Sequence, residues 1–181
     1  MSGPQPCSPS TEKLVLVGVP GAGKTTVGLV LAQRLGVDFV DTDQVIERNA
    51  GKRVGDIFIE DGEQAFRALE QQVVADTIAD HTGVIALGGG AVLSDQTREL
   101  LANIPTVWLT VSTDSAASRV GLNAARPVLM GNVRGQLTAL AKHRAPFYEE
   151  VATVTVQTDG LDPSAVADKI VEVLELGGDD A

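Results

Sequence analysis

Apolar residues along the chain follow two alternating patterns. Short continuous runs occur at Leu14–Val17, Val37–Val40, Gly83–Leu87, Pro105–Val111 and Val151–Gln157. Runs of this kind, rich in β-branched residues, are expected of strands buried in a parallel sheet. Between them, apolar residues recur three or four positions apart, as on one face of a helix. Val27, Leu31 and Leu35 predict a helix from Lys24 that stops at Gly36, a favourable residue just past a helix end. Phe66, Leu69, Val73 and Ile78 mark a long helix to about Ala79. Its opening, Asp61-Gly-Glu-Gln64, reads as an N-cap with Gln at the third helical position. Shorter helices are predicted over Gln44–Ala50, Val54–Phe58, Asp95–Asn103 (Leu100 and Leu101 inward), Thr113–Val120, Val133–Arg144 and Pro163–Leu176. Pro146 and a turn around Tyr148 are expected to follow the helix ending at Arg144.

Strands that alternate with helices imply right-handed crossovers. The predicted fold class is therefore α/β, a three-layer αβα arrangement around a five-stranded parallel sheet. No internal repeat or linker divides the chain. One domain is expected over 13–176, with flexible tails at 1–12 and 177–181 and a mobile loop at about 121–132, where Gly, Asn and Pro cluster. Ligands of such sheets lie beyond the carboxyl ends of the strands. Three stretches fall there: the glycine-rich segment after Val17, Asp41–Asp43, and Gly88–Gly90.

Composition changes this picture in two places. No apolar run reaches membrane-spanning length, the first ten residues lack a basic or apolar leader pattern, and the single Cys7 has no partner. A cytoplasmic protein without membrane association, and a monomer, is expected. The formal net charge of −10 argues against nucleic-acid binding. It also means that any anionic ligand must find cations concentrated locally. From Ser115 to Tyr148 there is no Asp or Glu, yet Arg119, Arg126, Arg134, Lys142 and Arg144 fall there.

The segment Gly18-Val-Pro-Gly-Ala-Gly-Lys-Thr25 matches G-x-x-x-x-G-K-[ST], the P-loop that wraps nucleotide phosphates. Its glycines let successive N–H groups converge on an anion, and the following helix adds its positive end. Gly21, Ala22, Gly23, Lys24, Thr25 and Thr26 are the ATP-binding candidates; Lys24 reaches the β- and γ-phosphates and the Thr25 hydroxyl serves Mg²⁺. The strand ending at Leu87 carries no terminal Asp, which leaves Asp41 as the candidate Mg²⁺ partner, directly or through water. Asp43 either accepts a hydrogen bond from a substrate hydroxyl and assists its deprotonation, or caps the helix beginning at Gln44. Gly88, Gly89 and Gly90 either admit a substrate to backbone N–H groups or form a plain turn. Arg67 lies four residues after Glu63 and three before Glu70, so it is either an anion-binding group or part of a surface ion pair. His81 and His143 show no metal-ligand spacing.

The set Gly18–Thr26, Asp41-Thr-Asp43, Asp61-Gly-Glu-Gln-Ala-Phe-Arg67, Gly88-Gly-Gly90, Arg126-Pro127 and Arg144-Ala-Pro-Phe-Tyr148 resembles shikimate kinase, most closely the actinobacterial, mycobacterial-type enzymes. The resemblance implies a P-loop NTPase fold of the nucleoside-monophosphate-kinase-like group. It also implies Mg²⁺- and ATP-dependent phosphorylation of the shikimate 3-hydroxyl, giving shikimate 3-phosphate and ADP on the route to chorismate. On that basis Lys24, Asp43 and Arg126 are catalytic, Arg126 being the arginine of a lid that closes on the phosphates. Arg67 and Arg144, with the glycine triplet, hold the shikimate carboxylate and hydroxyls; Phe58 and Phe66 wall the ring. Arg119 and Pro163 flank the adenine.

Two rival readings remain. A related P-loop kinase for gluconate, a nucleoside monophosphate or another small hydroxylated acceptor would share most of these features. A nucleotide switch would be expected to carry Asn-Lys-x-Asp for guanine, which the chain lacks.

Overall fold

A computed structural model describes residues 12–122 and 132–176 of the chain. Residues 1–11 and 177–181 of the expected tails, with Cys7, lie outside the described residues. So do 123–131 of the expected mobile loop, with Arg126.

The five apolar runs form one parallel sheet. Its strands are β1 (Lys13–Val17), β2 (Phe39–Asp41), β3 (Gly83–Ala86), β4 (Thr106–Thr110) and β5 (Val154–Gln157), in the order β2-β3-β1-β4-β5. β1 is central, pairing Val15 with Ile85 on one side and Leu16 with Val107 on the other. Leu14 to Val17 are each at most 1% exposed. At about 1.5–3 kcal/mol for each fully buried side chain of this size, β1 anchors the core. Because β1 is followed by the glycine-rich segment, that segment emerges at the middle of the sheet's carboxyl edge.

Helices cover both sheet faces, giving the expected αβα layers. α1 (Lys24–Leu35) packs on α8 (Pro163–Val173). It ends at Gly36 with φ +65°, and Val37 N–H closes back on Ala32 C=O at 3.0 Å, a glycine-terminated helix end. α2 (Thr42–Ala50), α3 (Val54–Glu60) and α4 (Glu63–Asp80) build a second, smaller core from Ile46, Ile57, Phe66 and Val73. A single 3₁₀ turn at Ala91–Leu93 leads into α5 (Asp95–Leu101); α6 (Thr113–Leu122) and α7 (Val133–Val151) follow β4.

Three local expectations are corrected. α4 is capped by Gly62, at φ +87°, while Asp61 closes α3 through its N–H to Ile57 C=O at 2.8 Å. Leu100 is 37% exposed and only Leu101 faces the core, because helix neighbours point about 100° apart. α7 does not stop at Arg144 but runs through Pro146 to Val151. An interior proline costs a helix about 3 kcal/mol or more. Here the burial of Tyr148 and Val151, with Tyr148 stacked on Trp108, holds the last turns.

Candidate active site

The segment from Gly18 to Gly23 turns into α1 through Gly21 at φ +83° and Gly23 at φ +92°. A Cβ at Gly21 would lie 2.7 Å from the Ala116 carbonyl, so the loop is pressed against α6. Lys24 Nζ arches over its own loop, donating to Gly18 C=O at 2.8 Å and Val19 C=O at 3.1 Å. From α6, Arg119 donates to Gly21 C=O at 3.1 Å and to Thr158 Oγ1 at 3.3 Å. Gly23, Lys24, Thr25, Thr26, Asp41, Asp43 and Arg119 line a cleft of 440 Å³ here. Ala22 is fully buried, and Pro163, the first residue of α8, is not among the cleft's lining residues.

Thr25 Oγ1 donates to Asp41 Oδ2 at 2.6 Å, joining the start of α1 to the end of β2. Among the described residues, no group of three or more His, Cys, Asp or Glu could hold a metal. Mg²⁺ needs no such cage, since it is usually held by one or two carboxylates plus waters and substrate phosphates. A hydroxyl and a carboxylate, both hard oxygen donors, at the glycine-rich end of the cleft fit that ion.

Of the two roles left open for Asp43, the helix cap falls instead to Asp41. Asp41 Oδ1 accepts from Asp43 N–H at 2.9 Å and Gln44 N–H at 3.4 Å, so α2 begins at Thr42 and carries Asp43 in its first turn. Fully buried Thr42 then accepts Gly88 N–H on its hydroxyl at 3.1 Å, tying α2 to the end of β3.

None of the three triplet glycines has a positive φ. They are glycines for space. A Cβ at Gly88 would lie 2.5 Å from Asp43 Oδ1, one at Gly89 3.3 Å from both Arg144 Nη1 and Gly18 C=O, and one at Gly90 2.2 Å from Arg67 Nη1. The triplet is thus the floor on which Asp43, Arg67 and Arg144 converge, in contact with the P-loop itself. A plain turn would not need these approaches.

Arg67 is not a surface pair. It bonds Glu70 at 2.6 Å, and the Glu70 side chain is 4% exposed; its contact to exposed Glu63 is only 3.7 Å. Its guanidinium also lies over the Phe58 and Phe66 rings, at 5.6 and 5.3 Å from their centroids. Phe66 is itself buried, so of the two rings Phe58 has the more accessible surface. Arg144 is buried as well, at 7% exposed.

Two residues with no predicted role complete the cluster. Burial pushes the Glu70 carboxyl above its usual range, and Arg67 opposes the shift. Glu70 stands on the same face of α4 as Phe66 and Val73, so a carboxylate in an apolar stripe was the available signal. Tyr148 is buried, and its hydroxyl donates to Gly89 C=O at 2.6 Å. Nothing in the periodicity points to it, because the predicted helix ended four residues earlier. Of the acid-free stretch, Arg119 and Arg144 face the cleft and triplet, whereas Arg134 pairs with Asp114 at 3.0 Å on the surface.

A P-loop at the centre of a β2-β3-β1-β4-β5 sheet, with its acid taken from β2, defines a small P-loop kinase of the nucleoside-monophosphate-kinase-like group. A deoxyadenosine kinase from M. mycoides shares that fold, at a TM-score of 0.61 and 18% identity over 91% of this chain and all of that one. The family model for shikimate kinase matches residues 20–175, and the chain belongs to that family. A shikimate kinase of Thermobifida fusca is 57% identical over 91% of this chain and 96% of its own. A shikimate kinase from Acinetobacter baumannii, solved in complex with shikimate, superposes with a TM-score of 0.89 at 36% identity, over 92% of this chain and 94% of that one.

Proposed function

We infer that this chain transfers the γ-phosphoryl group of ATP to the 3-hydroxyl of shikimate, forming shikimate 3-phosphate and ADP. The observation that carries the acceptor is the convergence of two arginines and one carboxylate on a glycine floor that touches the P-loop. Guanidinium forks match a carboxylate in two parallel hydrogen bonds, so Arg67 and Arg144 suit the acid group of the acceptor. Gly88 N–H is engaged by Thr42, so Gly89 and Gly90 are the members whose N–H groups serve the acceptor. Asp43, at the Gly88 end, suits the hydroxyl end, with Phe58 and Phe66 beside the ring.

In the transfer, the acceptor oxygen forms a bond to the γ-phosphorus as the bond to the β-bridging oxygen breaks. Asp43 accepts a hydrogen bond from the hydroxyl and takes its proton as the new bond forms, and ADP takes the electron pair of the broken bond. Backbone N–H groups of Gly21, Gly23, Lys24, Thr25 and Thr26 cradle the phosphates, Ala22 N–H being engaged by Val19 C=O at 3.1 Å, and Lys24 and Arg126 offset the developing charge. Thr25 and Asp41 would hold Mg²⁺, which would neutralise phosphate charge there. Arg119, with Pro163, serves the adenine side. A cytoplasmic monomer acting on these two small molecules, without nucleic acid or membrane, belongs to the same reading. Among the described residues no helix is long and apolar enough to cross a membrane.

ADP release with a panel of shikimate, gluconate and AMP tests the inference. Turnover with shikimate alone is expected. Turnover with gluconate and none with shikimate overturns the acceptor assignment.

A further inference from the structure

Tyr148 makes no contact that the transfer itself requires, yet its placement is closely specified. The ring is 1% exposed and stacks on Trp108 of β4, with centroids 5.7 Å apart. A phenol buried that deeply needs a hydrogen-bond partner. Its hydroxyl donates to the Gly89 carbonyl at 2.6 Å, and Arg144 hydrogen-bonds the phenol oxygen as well.

That carbonyl shares a peptide unit with Gly90 N–H. The bonds of the turn itself run from Ala91 N–H to Gly88 C=O and from Leu93 N–H to Gly90 C=O, and use neither Gly89 nor Gly90 N–H. A donor on a carbonyl polarises its peptide and strengthens the N–H as a donor in turn. Tyr148 also follows Arg144 by one helical turn on α7, so the two side chains share a face. Arg144 Nη1 approaches Gly89 from that face. Arginine, phenol and glycine peptide therefore form one unit whose parts cannot shift independently. Burial pushes the phenol pKa up to about 12, against the pull of Arg144, so the hydroxyl remains a donor throughout the neutral range.

We propose that Tyr148 is a positioning residue for the acceptor carboxylate: its hydroxyl locks the Gly89–Gly90 peptide against the Arg144 helix and sharpens the Gly90 N–H as a donor. The proposal rests on shikimate being the acceptor.

Steady-state kinetics and thermal melts of wild type, Tyr148→Phe and Val151→Ala test it. Val151 is buried on the same helix, so its truncation reports a merely structural loss. Tyr148→Phe is expected to raise the shikimate KM about tenfold, as for loss of a buried hydrogen bond, with the ATP KM and kcat changed less than about threefold. Val151→Ala is expected to lower the melting temperature and leave the shikimate KM in place. An unchanged shikimate KM in Tyr148→Phe, or an equal rise in Val151→Ala, overturns the positioning role while leaving the acceptor assignment standing. A wild-type enzyme inactive on shikimate overturns both. Should Tyr148→Phe fail to fold, biosynthetic 3-fluorotyrosine replaces only this residue, the chain's single tyrosine. Its more acidic hydroxyl should lower the shikimate KM; an unchanged or raised value overturns the proposal.

Discussion

Asp41 serves Thr25 and its own helix with different oxygens: Oδ2 accepts the Thr25 hydroxyl at 2.6 Å, while Oδ1 accepts Asp43 N–H at 2.9 Å. The two duties separate by mutation. Asparagine caps a helix about as well as aspartate, whereas alanine costs about 1 kcal/mol. Asp41→Asn should therefore keep its urea stability but need about tenfold more Mg²⁺ for half-maximal activity, since one hard charged ligand is lost. Asp41→Ala should show both defects. An unchanged Mg²⁺ requirement in Asp41→Asn would reduce the residue to a cap.

Gly90→Ala separates acceptor binding from ATP binding. The new methyl meets the far end of the Arg67 side chain, which can swing aside. Because the displaced Nη1 is the atom that bonds buried Glu70, the stability loss should be on the order of 2 kcal/mol, as for loss of that pair. The shikimate KM should rise about tenfold because the guanidinium leaves its place, with ATP binding retained. Equal losses toward both substrates would contradict a floor that serves the acceptor alone.

Arg67→Ala should impair shikimate binding and turnover together while leaving ATP affinity largely intact. It should also cost on the order of 2 kcal/mol. Breaking a buried pair costs about 3–5, reduced here because the Arg67 side chain is 26% exposed. The buried Glu70 left behind is responsible, so Arg67→Ala with Glu70→Gln should recover stability without recovering shikimate binding. Unchanged shikimate kinetics in Arg67→Ala would mean that the pair with Glu70 is all that Arg67 provides.

The raised Glu70 pKa has a defined pH signature. Its folded value lies above the usual 4.5, so the folded state binds this proton more tightly than the unfolded state. Stability is then lost as pH rises from about 4.5 through the raised value. Urea melts across that window should show Glu70→Gln gaining on wild type as pH rises, then levelling off. A difference independent of pH would place Glu70 in water.

Tyr148 titrates in the opposite range. With its pKa raised from 10 to about 12, the neutral phenol is favoured by folding, and that stability is lost as pH rises between those values. As the chain has one tyrosine, phenolate absorbance reports it alone. The folded protein should give no phenolate signal at about pH 10, and unfolding should release it. An ordinary titration in the folded state would contradict the bond to Gly89.

The sequence by itself determined the sheet, because five continuous apolar runs leave parallel strands buried on both faces as the economical solution, and it determined the P-loop, whose spacing is a local property of eight residues. It also named Asp41, Asp43, Arg67, Arg144 and the glycine triplet as chemically unusual. It could not divide labour among them. Whether Asp43 caps a helix or meets a substrate hydroxyl depended on where α2 begins, and Arg67 read equally well as a surface pair until the burial of Glu70 was known. Only the tertiary structure decided that the three glycines are required by neighbours from α2, α4 and α7, and that α7 continues through Pro146 to place Tyr148 under Gly89. Those facts depend on contacts between residues tens of positions apart. Local propensity carries no record of them, and at Pro146 it pointed the other way because the burial of Tyr148 and Val151 outweighs one lost helix bond.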